Sequence, residues 1–464
     1  MTQLHELTAS DLLAGYRSKA FSPVETMKAV LARIAAVDSQ INAFSLVDAD
    51  AAIARARESE ARWLSGMPMG ALDGVPVSIK DLLLTKGWPN LWGSLTADSM
   101  PGQIDAPSVA RLREAGATLF GKTNTPEFGH KGVTDSRRHG ITRNPWNLAM
   151  TPGGSSVGSS AALAAGMGPL SLATDGGGSA RTPANFAGVV GFKPTHGRIP
   201  VFPASTWGHL TTPGVMARSV EDVARMMNVV ARPDGRDPSA RPDNDQDYLA
   251  DLDGGAKGLK IALSMTLGHG RVDAEIAAVV RRAAARFAEL GATVVEADPA
   301  VPDPFPIFRG YLFAGVAFSV GLIPADKHHL LEPLVRQIAE TGRGVPATDY
   351  VRTVRDATDF ARAMQLFHQD HDLLVTPTNS VAAFPVGRTG PEDDSQGPWA
   401  NWSPALFPLN LSGQPGISVP CGHTKAGLPV GLQIAAARGR DDLVLRAAKA
   451  FESTTGLINQ RASI

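Results

Sequence analysis

The chain has 464 residues, of which 43% are hydrophobic and 19% are charged, a composition typical of a globular protein with a large buried core. Its 44 Lys and Arg residues nearly balance its 45 Asp and Glu residues, so charge gives no broad reason to expect a nucleic acid or a membrane as partner. Cys421 is the single cysteine, which excludes an intramolecular disulfide and a multi-thiolate zinc site and suits a reducing cytoplasm.

Helices are predicted at the start of the chain, where residues 1–23 do not resemble a signal peptide. Ser22 and Glu25 have the spacing of a capping box with Pro23 at the first helical position, and apolar residues follow at helical spacing to Val37. A further helix is expected over about 48–65. Both helices come before the first predicted strand.

An alternation of strands and helices is predicted next. Residues 75–80 have strand composition after the Asp73-Gly74 turn, residues 108–116 a helical pattern, and residues 117–124 strand composition again. From Asn144 to Thr174 no residue is charged, yet this segment is too rich in Gly, Ser and Pro to span a lipid bilayer. We expect it to be buried inside the protein.

The second half begins after residues 232–258, a polar and aperiodic stretch rich in Pro and Gly that predicts a surface linker. Residues 311–325 are uncharged but too short to cross a membrane, and they predict a buried helix, with an apolar surface patch as the alternative. The remaining patterns predict strands at 259–265, 292–298, 372–378, 416–422 and 428–436 and helices near 272–290 and 440–453.

Together these elements predict a single α/β domain whose central mixed β-sheet is covered by helices on both faces. We divide it into N-terminal helices (about 1–66), a core (about 70–231), the linker (about 232–258) and a second lobe (about 259–464).

Two glycine-serine clusters, at 151–166 and 174–195, carry the chemistry. Glycines leave backbone N–H groups unobstructed, as is needed to hold an oxyanion or a phosphate. A phosphate loop requires G-x-x-x-x-G-K-[ST], and no lysine stands in that place. The dinucleotide pattern G-x-G-x-x-G is also not met cleanly, so nucleotide binding is the weaker alternative.

Several linked segments resemble the amidase-signature hydrolases. They are GVPVSIKD at 74–81, GKTNTPEF at 121–128, NPWN at 144–147, GGSS at 153–156, DGGGSAR at 175–181, GVVGFKPT at 188–195, GISVPCG at 416–422 and GLPVGLQIA at 427–435. The resemblance covers most of the chain in the order and spacing of the family, and it implies the amidase-signature fold and a serine amidase.

The resemblance also implies roles for individual residues. Ser179 matches the nucleophile, Ser155 the bridging serine with a cis peptide bond, and Lys80 the lysine that begins the proton relay. The implied oxyanion hole consists of the backbone amides of Gly176, Gly177, Gly178 and Ser179. Asp175 and Arg181 match a structural polar pair.

The implied chemistry is sound on physical grounds. A serine hydroxyl attacks only when a base removes its proton, and a lysine serves as that base only if burial lowers its pKa by several units. Lys80 closes an apolar strand, where such burial is expected. Val157 and Gly176 depart from the family pattern, and we expect them to affect turnover and substrate preference more than mechanism.

Other residues compete for these roles. Lys122 and Lys193 are alternatives to Lys80 but match structural parts of the family pattern, and Ser156, Ser159 and Ser160 are expected to cap a helix near 159–166 or to bond locally. A Ser-His-Asp triad would draw on His130, His139, His196 or His209, but no G-x-S-x-G elbow surrounds Ser179. No H-E-x-x-H motif or carboxylate cluster indicates a metal, and no cofactor is expected.

The substrate pocket is expected to draw on residues 123–142, 201–214 and 397–407. Its candidate lining residues are Phe128, Phe202, Trp207, His209, Trp399 and Trp402, which would make it aromatic and largely uncharged. The alternative is that several of them pack the core.

We therefore expect a stand-alone amidase that acts on an apolar carboxamide, an aryl amide or a carbamate, the last being a urethanase-like activity. The second hypothesis is the glutaminase subunit of a tRNA-dependent amidotransferase, and the third, from another class, is a nucleotide-binding or scaffold protein. The expected partner is a small-molecule amide or carbamate, with no nucleic acid and no membrane, and a homodimer stays open.

Overall fold

The structure of the chain is a computed structural model that describes residues 3–133, 135–243, 245–391 and 402–464. Its helices are α1 (Ala9–Ser18), α2 (Pro23–Ile41), α3 (Ala49–Leu64), α4 (Pro107–Glu114), α5 (Val157–Ala164), α6 (Arg181–Ala187), α7 (Val220–Val230), α8 (Ala274–Glu289), α9 (Phe305–Gly321), α10 (Pro333–Arg343), α11 (Ala347–Phe367), α12 (Phe407–Leu411) and α13 (Asp441–Glu452). Its strands are β1 (Phe44–Val47), β2 (Pro76–Lys80), β3 (Thr118–Thr123), β4 (Asp135–Ser136), β5 (Gly140–Ile141), β6 (Leu170–Asp175), β7 (Val190–Lys193), β8 (Thr212–Ala217), β9 (Lys260–Leu263), β10 (Thr293–Glu296), β11 (Leu373–Pro377), β12 (Gly416–His423) and β13 (Pro429–Ala436).

Eleven of these strands form one sheet in the order β1-β3-β2-β6-β8-β7-β12-β13-β11-β9-β10. The β2–β3, β2–β6, β9–β10 and β9–β11 pairs are parallel, and the other pairs are antiparallel. Strands from both sides of the predicted linker meet in this sheet through the β7–β12 pair. The predicted mixed sheet is confirmed.

Both faces of the sheet are covered, as the alternation of side chains along its strands shows. In β11, Leu373 and Val375 enter a core that also contains side chains of α7, α8 and α13, whereas Leu374 enters a core built with α9 and α11. Successive residues of a strand point to opposite faces, so this division places helices on each side. The expectation of helices on both faces is confirmed.

Local sequence chemistry explains where α2 begins. Ser22 Oγ accepts a hydrogen bond from the Glu25 amide (3.2 Å), and the Glu25 carboxylate accepts one from the Ser22 amide (2.8 Å). Pro23 occupies the first helical position, where its missing N–H leaves no bond unmade. The predicted capping box is confirmed, and α2 continues past Val37 to Ile41.

The uncharged segment 144–174 is only partly buried. Residues 151–174 are buried throughout, as predicted, whereas Asn147 and Ala149 are exposed in a turn stabilised by Asn144.

Helix α9 starts earlier than predicted. One face of α9 is buried, whereas Phe318 is 60% exposed. The two alternatives for this segment, a buried helix and an apolar surface patch, therefore apply to different faces of the same helix. Among the described helices, none is long and apolar enough to span a membrane.

The parallel pair β2 and β6 positions the site. Val77 pairs with Leu170 and Ile79 with Leu172, so the two strands run in the same direction in adjacent register. Carboxyl ends of adjacent parallel strands meet at the same edge of a sheet. Lys80 is the last residue of β2 and Asp175 the last residue of β6, so the ends of these two strands lie side by side at one edge of the sheet.

Candidate active site

Lys80 lies at the floor of the site with its side chain fully buried. Its Nζ is 2.7 Å from Ser155 Oγ and 2.8 Å from Thr174 Oγ1, and it is hydrogen-bonded to both. Burial lowers the pKa of Lys80 well below its ordinary value, although the Asp175 carboxylate acts in the opposite direction. The amine is therefore biased towards its neutral form.

Ser155 reaches Lys80 from the segment that precedes α5. The Gly154–Ser155 peptide bond is cis, and Ser155 is buried. The next residue joins the two glycine-serine clusters, because the Ser156 amide donates to Ser179 O (3.0 Å) and Ser156 Oγ donates to Thr174 O (3.2 Å). Ser156 thus holds the Ser155 and Ser179 segments side by side. Its role is structural, but its hydroxyl bonds a residue 18 positions away and does not cap α5 or bond locally as expected.

Ser179 follows β6 and is half-buried. It lines the main cavity together with Ser155 and Thr174. Ser179 also lines a narrow cleft that is bordered by Gly177, Gly178 and Gly154. The structure therefore brings the three residues of the implied triad to one place, with Lys80 bonded to Ser155 beneath the cavity and Ser179 at its wall.

Asp175 and Arg181 form a buried ion pair behind the loop that carries Ser179. Arg181 Nε and Nη2 donate to the two carboxylate oxygens at 3.0 and 2.9 Å, and both side chains are fully buried. Burial alone would raise the pKa of Asp175, but the charge and hydrogen bonds of Arg181 and those of Asn410 hold it below its usual range. The pair is an ionised support for the loop.

The amides of this loop are not equivalent. The Gly178 amide donates to Asp175 Oδ1 at 2.7 Å, and the Ala180 amide donates to Asp175 Oδ2 at 3.1 Å. Gly178 N–H is therefore occupied, which removes it from the expected set of oxyanion donors. Among the hydrogen bonds of the described residues, the amides of Gly177 and Ser179 have no acceptor. These two amides, together with that of Gly176 at the start of the loop, therefore stay available as oxyanion donors.

The rival lysines have other partners. Lys122 Nζ donates to Asn90 Oδ1 (2.6 Å) and to Leu83 O (2.7 Å), and it lies 3.6 Å from Asp81. Lys193 Nζ donates to Pro194 O (2.9 Å). Burial lowers the pKa of Lys122 to about 8 and that of Lys193 to about 7. Neither of them is bonded to a serine of the site, unlike Lys80.

Among the candidate histidines, His130 lines both the cavity and the narrow cleft. Its Nδ1 contacts the Glu127 carbonyl oxygen, which can only accept, so Nδ1 carries the proton and Nε2 is unprotonated. Burial lowers the pKa of His130 to about 4. His209 instead approaches Leu411 O and packs edge-on against Tyr311.

The main cavity has a volume of about 230 Å³. Its described lining contains no Asp, Glu, Lys or Arg, and its apolar side chains include Leu82, Leu83, Val201, Val316, Val320 and Val335. Helices α9 and α10 therefore contribute to its wall, although sequence patterns gave no reason to expect them there.

The predicted pocket residues have different positions. Phe128, Phe202 and Trp207 line the cavity. Trp402 is buried and stacks on Phe186 away from the cavity, so for this residue the alternative of core packing applies. His209, as described above, is also absent from the described lining. Trp399 lies outside the described residues.

The two departures from the family pattern also differ. Val157 is fully buried at the first position of α5 and does not line the described cavity, so it does not narrow the site directly. Gly176 does line the cavity.

Sequence reasoning missed Thr174 and Asn410. Thr174 binds Lys80, and its place before Asp175 was a weak signal that only the register of β2 and β6 makes meaningful. Asn410 donates to Asp175 and accepts from Arg181 (2.7 Å), and nothing local in the sequence indicates this. In the described part of the chain, no group of three or more His, Cys, Asp or Glu residues is placed to hold a metal ion.

Comparisons with known proteins find relatives over nearly the whole chain. The family model described as Amidase matches residues 25–445. An acylamidase from Rhodococcus erythropolis is 37% identical over 97% of this chain and 96% of its own length. A glutamyl-tRNA(Gln) amidotransferase subunit from Myxococcus xanthus is also 37% identical, over 97% of each chain.

Solved structures show the same similarity. A bacterial aryl acylamidase of the amidase signature enzymes superposes with a TM-score of 0.92 at 28% identity, covering 99% of this chain and 98% of that one. A 6-aminohexanoate cyclic dimer hydrolase superposes with a TM-score of 0.91 at 30% identity, covering 100% and 99%.

Proposed function

This chain belongs to the amidase signature family, and we propose that it is a stand-alone amidase that hydrolyses the C–N bond of a small apolar carboxamide, aryl amide or carbamate. The observation that carries the proposal is the buried Lys80, hydrogen-bonded to Ser155 beneath an uncharged cavity that Ser179 also lines. A nucleophile, a relay and a base of low pKa are the parts that serine-based amide hydrolysis requires.

In the acylation step, the neutral amine of Lys80 accepts a proton from Ser155 while Ser155 accepts the proton of Ser179. A neutral amine has one lone pair and two hydrogens, so it accepts from Ser155 and donates to Thr174 Oγ1. Ser179 Oγ forms a bond to the carbonyl carbon. When the C–N bond breaks, the proton returns through the same relay to the leaving amine.

In the deacylation step, water attacks the acyl-Ser179 ester and gives its proton to the relay, and Ser179 leaves with a proton returned from it. Both steps pass through a tetrahedral oxyanion. The amides of Gly177 and Ser179, with that of Gly176, are the proposed donors to this oxyanion, each worth about 3–4 kcal/mol in comparable sites. The Asp175–Arg181 pair keeps the loop in place by occupying Gly178 N–H.

The uncharged cavity favours an apolar substrate. Free glutamine carries an ammonium and a carboxylate, and buried charges need partners of opposite charge. The described lining offers none. The glutaminase of an amidotransferase stays the second candidate because amidotransferase subunits are among the similar proteins, with an identity as high as that of the acylamidase.

The proposal requires no nucleic acid, membrane, metal or cofactor and is compatible with a homodimer. It also includes a cytoplasmic location, which suits the single free Cys421.

The test is turnover by the purified chain alone. We expect release of amine from acyl-anilides, carbamates or simple carboxamides and no ammonia from glutamine, with Ser179→Ala as the inactive control. Ammonia from glutamine that requires added partner proteins would favour the amidotransferase instead. If the purified chain turned over none of these substrates but bound a nucleotide, that result would support the nucleotide-binding hypothesis.

A further inference from the structure

Trp207 is positioned by two glycines whose lack of a side chain the proposed mechanism does not explain. The first is Gly176, at the start of the loop that carries Ser179. A Cβ atom added to Gly176 would lie 3.1 Å from both Cε3 and Cζ3 of the Trp207 indole. The indole thus occupies the space of a side chain at position 176, and any such side chain would move it by a few tenths of an ångström.

The second glycine is Gly315, in the interior of α9. A Cβ atom there would lie 2.5 Å from Trp207 Cδ1 and 2.6 Å from the backbone oxygen of Thr206. A backbone atom cannot give way as a flexible side chain can. Glycine weakens a helix interior, so its presence at 315 is explained by the close approach of the Trp207 loop.

The backbone around Trp207 is held on both sides of the indole. The Trp207 amide donates to Ser205 Oγ (3.1 Å), and that hydroxyl is 2.7 Å from Thr211 Oγ1. On the α9 side, Thr206 Oγ1 is 2.9 Å from Ser319 Oγ. The indole therefore has little freedom to move away from either glycine.

This position places the indole in the wall of the cavity that Ser155 and Ser179 also line. Trp207 lines the main cavity and also the narrow cleft along Gly177 and Gly178, and Ser179 lines both of them as well. Phe128 and Phe202 line the same cavity. Aromatic rings that pair in offset or edge-to-face geometry contribute favourable interaction energy beyond that from the burial of their apolar area.

We propose that Trp207 is the specificity-determining residue of this amidase and that, held between Gly176 and Gly315, it selects substrates with a planar aryl ring on the acyl side of the scissile amide. The inference rests on the proposed function and narrows its substrate class to aryl carboxamides. A saturated ring of similar size is expected to bind less well because it is thicker and lacks the aromatic contact.

The first test compares kcat/KM for a benzoyl amide and the cyclohexanecarbonyl amide of the same amine. Trp207→Ala is expected to lower the ratio of the two values about tenfold, the lower end of what one apolar contact discriminates. Trp207→Phe, which keeps a ring, should retain part of the preference. An unchanged ratio in Trp207→Ala, with thermal unfolding showing a folded protein, would overturn the proposal.

The second test examines the glycines. Gly176→Ala and Gly315→Ala should each lower the ratio in the wild-type background and have no effect on it in the Trp207→Ala background, because no indole is left to displace. Gly321→Ala is the matched control, since Gly321 belongs to the same helix and has open space around its Cα. It should leave the ratio unchanged.

Two other outcomes would count against the inference. If Gly176→Ala lowered kcat/KM equally for both substrates, and did so without Trp207, it would act on the oxyanion loop alone. If Gly315→Ala lowered the ratio equally with and without Trp207, the indole would not be its target. If the wild-type protein hydrolysed other amides or carbamates but neither of these two, the inference would fail while the proposed function stood. Failure to hydrolyse any amide or carbamate would instead contradict the proposed function, so the two failures are distinguishable.

Discussion

Replacing Lys80 by Met tests whether this buried amine is neutral in the folded protein. Methionine has similar length and no charge, and it would occupy a position that is fully buried. Activity should fall to near background because no base is left for Ser155. Lys80→Arg should be equally inactive, because a guanidinium does not release its proton in the accessible pH range.

The same substitution has a measurable effect on stability. Burial lowers the pKa of Lys80 in the folded protein below the 10.5 of an exposed lysine. Between these two pKa values the unfolded chain binds a proton that the folded chain does not, so the free energy of unfolding rises with pH. The slope is up to about 1.4 kcal/mol per pH unit, hence up to about 3 kcal/mol between pH 7 and 9.

This contribution is absent from Lys80→Met, so the variant should gain stability relative to wild type as the pH falls from 10.5. Loss of the hydrogen bonds to Ser155 and Thr174 costs about 1 kcal/mol each but does not depend on pH in this range. Lys122 and Lys193 also have lowered pKa values, but they contribute equally to the pH dependence of both proteins. Their effect therefore cancels when the free energies of unfolding of wild type and Lys80→Met are subtracted.

The assay is urea unfolding of both proteins at pH 7, 8 and 9, compared with the pH profile of kcat/KM. Activity should rise with pH through the pKa of the coupled Lys80–serine group. His130, whose pKa burial lowers to about 4, does not titrate in this range. Parallel stability curves for wild type and variant, or an active Lys80→Arg enzyme, would show that Lys80 is not a neutral base.

Further predictions concern the serines, the buried ion pair and metals. A serine-directed phosphonate should add its mass to the peptide that contains Ser179, and Ser179→Ala should prevent this; an adduct on another peptide contradicts the assignment of the nucleophile. Ser155→Ala should reduce turnover less than Ser179→Ala does, because water can bridge the relay. Arg181→Met should lower the free energy of unfolding by about 3–5 kcal/mol because it leaves the buried Asp175 carboxylate without its counter-charge, whereas Arg55→Ala, which breaks an exposed pair, should cost less than about 1 kcal/mol in the same urea assay. A smaller loss in Arg181→Met would show that Asp175 is not held as a charge. Chelators should leave activity unchanged, and a loss that zinc restores would require a metal.

Several elements could be predicted from the sequence because their causes are local. The capping box of Ser22 and Glu25 sets the start of α2, and the apolar run before Lys80 predicts a buried strand with a lysine at its end. The two glycine-serine clusters predict loops with free amides. Each inference depends on residues a few positions apart, whose backbone preferences and hydrogen bonds act within one turn or strand.

Other features depend on contacts between distant parts of the chain. The register of β2 and β6 makes Thr174 a partner of Lys80, and Asn410 reaches Asp175 from far along the sequence. Trp402 and Trp207 look alike in sequence, both in Pro-rich aromatic stretches, yet one stacks on Phe186 in the core and the other borders the cavity.

The amino-acid sequence alone indicates the candidate reacting groups, the family fold and the α/β alternation, because side-chain chemistry and periodicity are properties of short segments. Packing between distant segments decides which amide of the loop is occupied, which lysine bonds a serine and which tryptophan borders the main cavity. Those outcomes follow from strand register and from close approaches such as that of Trp207 to Gly176 and Gly315, where the space left by one segment is filled by another.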